Sequence, residues 1–152
     1  MMKLCIRYRN IISMYHYSIL IFNLLPIYPL DGGKIVNILL SLKMPFKLSL
    51  KLTIYISYLT LIFFIIINYP NFYVNYIIIT IYLLYKITLE KRQIEYIYNK
   101  FLLERYIYNY SFKNKKIINN EDKFYKNTKH LIKKNDKYYL ETEFLEKKYK
   151  KI

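Results

Sequence analysis

The sequence predicts an all-α integral membrane protein, built from a proline-broken apolar segment, a transmembrane helical hairpin and a basic tail. Three observations lead there. No charged residue lies between Lys51 and Lys86. An earlier apolar run, Ile11 to Leu30, is interrupted by Pro26 and Pro29. Charge also divides the chain: residues 1–89 hold eight Lys/Arg and one acidic residue, whereas residues 90–152 hold seventeen Lys/Arg and nine Asp/Glu, so the parts carry +7 and +8 of the +15 total. We therefore expect a membrane domain over 1–89 and a basic cytoplasmic tail over 90–152.

The charge-free run is longer than the roughly 20 residues one spanning helix needs. Asn68-Tyr69-Pro70-Asn71 interrupts it with turn formers, and Pro70 cannot continue a helix, so the run reads as two helices, Leu52 to Ile67 and Tyr73 to Leu89. Each arm is short. At about 1.5 Å per residue the first reaches roughly 24 Å against a hydrocarbon core of about 30 Å, which calls for snorkelling by Lys51 and Lys86 or local thinning. A buried helical pair in a soluble protein is the competing reading. Lys43, Lys47 and Lys51 precede the hairpin and Lys86, Lys91 and Arg92 follow it, which puts both flanks and the tail on the cytoplasmic side.

The first apolar segment carries a basic leader, Lys3, Arg7 and Arg9, in the manner of a signal peptide, but it has no small-residue cleavage site. Its prolines free backbone groups that only protein or water can satisfy at membrane depth, so something polar must line it. Asp31 follows, the only acidic residue in the first 89 and the neighbour of the chain's only two glycines, Gly32 and Gly33. A carboxylate here is expensive, which makes it a functional-site candidate with a polar partner such as a metal ion. The structural alternative is an N-cap for a helix running through Leu40.

The stretch Asn23-Leu24-Leu25-Pro26-Ile27-Tyr28-Pro29-Leu30-Asp31-Gly32-Gly33 closely resembles the second motif of the site-2 protease family, the intramembrane zinc metalloproteases. The hairpin and tail that follow are similar to the sporulation branch of that family. The resemblance implies a zinc cofactor with Asp31 as its third protein ligand. Asn23 and Pro29 would border the substrate, and Pro26, Leu30, Gly32 and Gly33 would complete the motif. It further implies hydrolysis of a peptide bond near the membrane, in a membrane-associated substrate such as a pro-sigma-factor, and residence in the cell or forespore membrane.

One part of the pattern is missing. These enzymes use a His-Glu-x-x-His helix for two zinc ligands and a general base, and a catalytic zinc needs three protein ligands. His16 and His130 are the only histidines, neither precedes the required Glu, and no glutamate occurs before Glu90. The chain thus matches the C-terminal part of the family pattern. Either an upstream segment belongs to it, or a partner fragment supplies the missing ligands; the alternative is a catalytically inactive membrane interaction protein or remnant.

His16, in Tyr-His-Tyr, reads as a packed or interfacial side chain rather than a ligand. Cys5 is the only cysteine, so no intrachain disulfide forms. In the tail, Ile94, Ile97, Tyr98, Phe101 and Leu102 make an apolar stripe on a helix from Glu90 to about Asn109, suited to a membrane surface or a partner. A β-hairpin is expected over Leu131 to Lys134 and Lys137 to Leu140 about Asn135-Asp136, then a short helix capped by Thr142. The tail has no glycine with which to approach a phosphate, so no nucleotide-binding role is assigned to it. Interspersed charge without a recognisable binding fold argues against nucleic acid and for the lipid bilayer as partner.

Overall fold

The computed structural model describes residues 2–68, 73–112, 114–134 and 137–150. The turn at Pro70 and Asn71, the Asn135-Asp136 turn and the side chains of Lys3, Cys5 and Arg7 lie outside what is described. Four helices come first: α1 (Met2–Asn23), α2 (Asp31–Lys43), α3 (Phe46–Asn68) and α4 (Val74–Tyr108). Strand β1 (Lys115–Ile118), a 3-10 turn at Glu121–Lys123, strands β2 (Lys129–Lys134) and β3 (Lys137–Leu140), and helix α5 (Glu141–Tyr149) complete the chain.

α1 stops at Asn23, three residues before Pro26, which lacks the donor the next turn would need. α3 starts at Phe46, earlier than the expected Leu52, because Pro45 sets the helix start: its carbonyl accepts from the Ser49 N–H at 2.9 Å. At 23 residues, or about 34 Å, α3 is long enough for a hydrocarbon core without thinning. It is the one helix among the described residues that is long and apolar enough to cross a membrane, with mean hydropathy 2.2 and only 28% of that window buried. Two such helices were expected; the apolar start of α4 reaches Lys86, Glu90 and Lys91 before it attains the same length.

α3 and α4 pack along each other through Ile54, Leu61, Leu83 and Ile87, with the Tyr58 hydroxyl 3.3 Å from the Thr88 hydroxyl. The second correction concerns α4 itself, which does not end near Leu89 but continues unbroken to Tyr108. Lys-Ile-Thr-Leu-Glu-Lys-Arg-Gln changes polarity without breaking the helix, since most of these residues are good helix formers. It closes at Asn109, which adopts the left-handed conformation that Asn tolerates at helix ends, and whose N–H donates to the Arg105 carbonyl.

The all-α expectation fails in the tail. β1, β2 and β3 form one sheet in that order, with β1 parallel to β2 (Ile118 opposite Ile132) and β2 antiparallel to β3 (Ile132 opposite Tyr139). The β2–β3 pair was expected; β1 was not. The helix after it begins at Glu141 with Leu140 at the N-cap position and no side-chain cap, so Thr142 does not cap it. The apolar stripe of α4 also finds its partners within the chain: Ile94, Tyr98 and Leu102 are buried in a core with Phe46, Ile118, Phe124, Ile132 and Leu145.

A buried ionic network fastens this unit to α4. Arg105 Nε donates to Glu141 Oε1 at 2.6 Å, and its Nη atoms donate to the carbonyls of Tyr125 at 2.7 Å and Thr128 at 2.6 Å. Glu141 Oε2 also accepts from the His130 backbone N–H at 2.8 Å. The Tyr125 N–H donates to His130 Nε2, so that nitrogen accepts and Nδ1–H donates to Glu141 Oε2 at 3.2 Å. Burial pushes the Glu141 carboxyl up, but the hydrogen bonds from His130 and Arg105 and the guanidinium charge outweigh it, holding the pKa below its ordinary 4.5.

Two expectations follow for the full chain in detergent micelles. Arg105→Ala leaves a buried, unpaired carboxylate and should destabilise the tail by about 3–5 kcal/mol, read as lost amide protection over residues 115–149. A carboxyl with a depressed folded pKa contributes stability that is complete above its ordinary value, so protection of the wild-type tail should hold down to about pH 4.5 and fall only as pH drops further.

Candidate active site

The loop from Asn23 to Leu30 is an irregular stretch between two helices, and its donors can be accounted for completely. Pro26 and Pro29 have none. The other N–H groups from Leu24 on are all engaged: Leu24 to the Leu20 carbonyl at 3.0 Å, Leu25 to Phe22 at 3.2 Å, Ile27 to Leu25 at 2.7 Å and Leu30 to Ile27 at 2.8 Å. Tyr28 alone reaches beyond the loop and α1, donating to Ser57 Oγ on α3 at 2.8 Å. With its hydrogen bonds kept inside the protein, the loop survives without water.

The seat for this loop is a polar seam on α3. Ser49, Thr53 and Ser57 recur every fourth residue, are buried, and each bonds a carbonyl one turn back at 2.8 Å. Ser57 adds the contact to the loop, and Ser49 Oγ lies 3.1 Å from Asn37 Oδ1 on α2. Hydropathy alone hides this seam; its i, i+4, i+8 spacing in Ser-Leu-Lys-Leu-Thr-Ile-Tyr-Ile-Ser is the signal that reveals it.

The two glycines let the start of α2 press against the loop backbone. A Cβ on Gly32 would fall on the carbonyls of Leu24 and Leu25, and one on Gly33 would lie 2.7 Å from the Ile27 carbonyl carbon and the Tyr28 nitrogen. Neither glycine has positive φ, so close approach rather than backbone freedom requires them.

This packing presents Asp31 outward. Leu30 takes the N-cap position without a side-chain cap bond, and Asp31 is the first residue of α2, which corrects the capping alternative. Its carboxylate meets Lys34 Nζ at 3.1 Å, with 69% of the Asp31 side chain exposed. Asn23 ends α1 half-buried, Pro29 is half-buried, and Gly32 and Gly33 are buried. His16 is exposed on α1, and His130 is held in the tail network. No group of three or more His, Cys, Asp or Glu side chains able to hold a metal occurs among the described residues, so the donor set here does not by itself fit zinc.

A family model described as Peptidase family M50 matches residues 2–67, the stretch that contains α1, the loop, α2 and nearly all of α3. Stage IV sporulation protein FB of Bacillus subtilis (strain 168) is 36% identical over 100 residues, covering 64% of this chain. Residues 2–67 thus resemble peptidase family M50. That is the site-2 protease family that the Asn23 to Gly33 motif resembles, a family of membrane metalloproteases. The chain spans about a third, 34%, of the length of the curated relative it matches.

Replacing the seat should loosen the loop selectively. Ser57→Ala strands the Tyr28 N–H and should cost about 1–3 kcal/mol, with faster amide exchange at Ile27 and Tyr28. Gly33→Ala should cost a similar amount, about 1–3 kcal/mol, by overpacking. Unchanged exchange at Tyr28 in Ser57→Ala would mean that the seam does not hold the loop.

Proposed function

We propose that this chain contributes the aspartate part of an intramembrane zinc metalloprotease of the sporulation type, acting on a membrane-associated protein such as a pro-sigma-factor. The observation that carries the reading is the exposed Asp31 carboxylate, presented by a tightly seated loop with one lysine as its only partner among the described residues. Such a carboxylate is placed to meet ligands from elsewhere. In this reading two histidines and a glutamate come from a His-Glu-x-x-His helix outside these 152 residues, and Asn23 and Pro29 border the substrate. Because this donor set does not fit the metal, no catalytic step is assigned to these residues alone.

The exposed apolar side chains support the setting. Ile12, Met14, Ile19, Leu20 and Ile21 on α1, and Ile62, Phe63, Ile66 and Ile67 on α3, face outward, which suits a bilayer or neighbouring helices and not water. α3 crosses the membrane, the apolar start of α4 returns, and the tail lies in the cytoplasm. A second reading is a membrane interaction protein without catalysis, since no group of three or more metal-ligating side chains occurs among the described residues.

Two experiments test this. A reporter after residue 152 should be cytoplasmic and one at Asn71 external; cytoplasmic signal at both positions rejects the hairpin. Purified alone, the chain should retain no stoichiometric zinc. Co-expressed with the His-Glu-x-x-His half of a related protease it should regain pro-sigma-factor cleavage. Asp31→Asn should then lower cleavage at least ~100-fold, the upper end of what even an outer-shell loss costs a metal site. Failure of cleavage although both halves insert and associate would favour the non-catalytic reading.

A further inference from the structure

A groove of about 310 Å³ opens between α3 and α4, lined by Lys51, Ile54, Tyr55, Tyr58, Lys91, Ile94 and Glu95. Its parts are ordered by polarity. Ile54 and Ile94 form a buried apolar floor, Tyr55 and Tyr58 supply aromatic walls, and Lys51 and Lys91 stand exposed at the rim. No ion pair engages either lysine among the described residues, whereas Glu95, the one acidic residue in the lining, is held by Lys47 at 2.7 Å. The groove therefore offers two uncommitted ammonium groups above apolar surface.

Its depth is fixed by the sequence. Lys51 is the last charge before the run that stays uncharged through Asn68, and Lys91 lies beyond Lys86, the first charge after the run. The groove thus sits where hydrocarbon gives way to headgroups, with tyrosines at the level where such rings accumulate. An amphiphile with an anionic head matches it end to end, and basic pockets between helices on the cytoplasmic side are suited to anionic headgroups.

We propose that this groove binds one anionic phospholipid, its phosphodiester between Lys51 and Lys91 and an acyl chain along Ile54 and Tyr58. The inference rests on the membrane placement of α3 and α4 proposed above. It differs from a diffuse attraction of the basic tail to the bilayer in naming one site and two lysines.

Native mass spectrometry of the full chain released from micelles, titrated with phosphatidylglycerol or phosphatidylcholine, tests it. One phosphatidylglycerol should be retained about tenfold more tightly than phosphatidylcholine. Lys51→Gln with Lys91→Gln should abolish the preference, while Lys100→Gln with Lys137→Gln, which removes equal charge from exposed positions elsewhere, should leave it. Equal retention of both lipids, or preference surviving in the groove variant, overturns the site; so does displacement of the lipid by millimolar inorganic phosphate, which would mean a site for the soluble anion. Carbonate washing of membranes separates the two claims. A chain that resists extraction yet lacks the preference loses the lipid site alone, and a chain that is extracted loses the membrane placement as well.

Discussion

The N–H of Tyr28 has no acceptor within its own loop, and the hydroxyl of Ser57, one helix away, provides it at 2.8 Å. The rest of the membrane part is arranged around that requirement. Pro26 and Pro29 remove donors on either side of Ile27-Tyr28, α3 turns a hydroxyl seam rather than an all-apolar face toward the loop, and two glycines let α2 close over it. An unsatisfied amide away from water costs as much as several methylene burials gain. The seam thus sets where α3 must lie, and α3 sets where α2 and α4 can pack.

Asp31 is the by-product of this arrangement that chemistry can use. Because the glycines face inward against the loop, the residue before them is turned outward, and among the described residues its carboxylate is met only by an exposed lysine. A carboxylate meant purely to stabilise the helix start would cap it. Here that position belongs to Leu30, so the carboxylate stays exposed beside Lys34, as the proposed ligand role requires.

Much of this was legible in the residues. The break at Pro26 and Pro29, the start of a helix at the Asp-Gly-Gly, the end of the long helix at Asn109 and the β2–β3 pair all follow from local rules of proline, glycine, asparagine and alternation. What escaped was non-local or masked by polarity. β1 is four residues of a lysine-rich stretch and is a strand only because β2 lies beside it. Arg105 and Glu141 lie in a tail of interspersed charge, yet 36 positions apart they form an ion pair whose side chains are only 2% and 7% exposed. The polarity change near Leu89 suggested a boundary, but a helix responds to propensity more than to hydropathy, and none of those residues breaks it.

That unbroken helix has a consequence of phase. Leu83, Ile87, Ile94, Tyr98, Leu102 and Arg105 are all buried, the first two against α3 and the last against α5 and the loop before β2, on one surface wound along a single rod. Each residue advances an α-helix by about 100° and 1.5 Å. One residue added or removed between Ile87 and Ile94 would swing the whole tail about a quarter turn around the membrane part, breaking the bonds from the Phe46 N–H to the Phe124 carbonyl and from Lys47 to Asp122 that hold the tail to the start of α3. The two ends are geared together, and a twist imposed on the tail passes along the rod, and through Phe46 and Lys47 at the start of α3, to the helix pair that seats the aspartate loop.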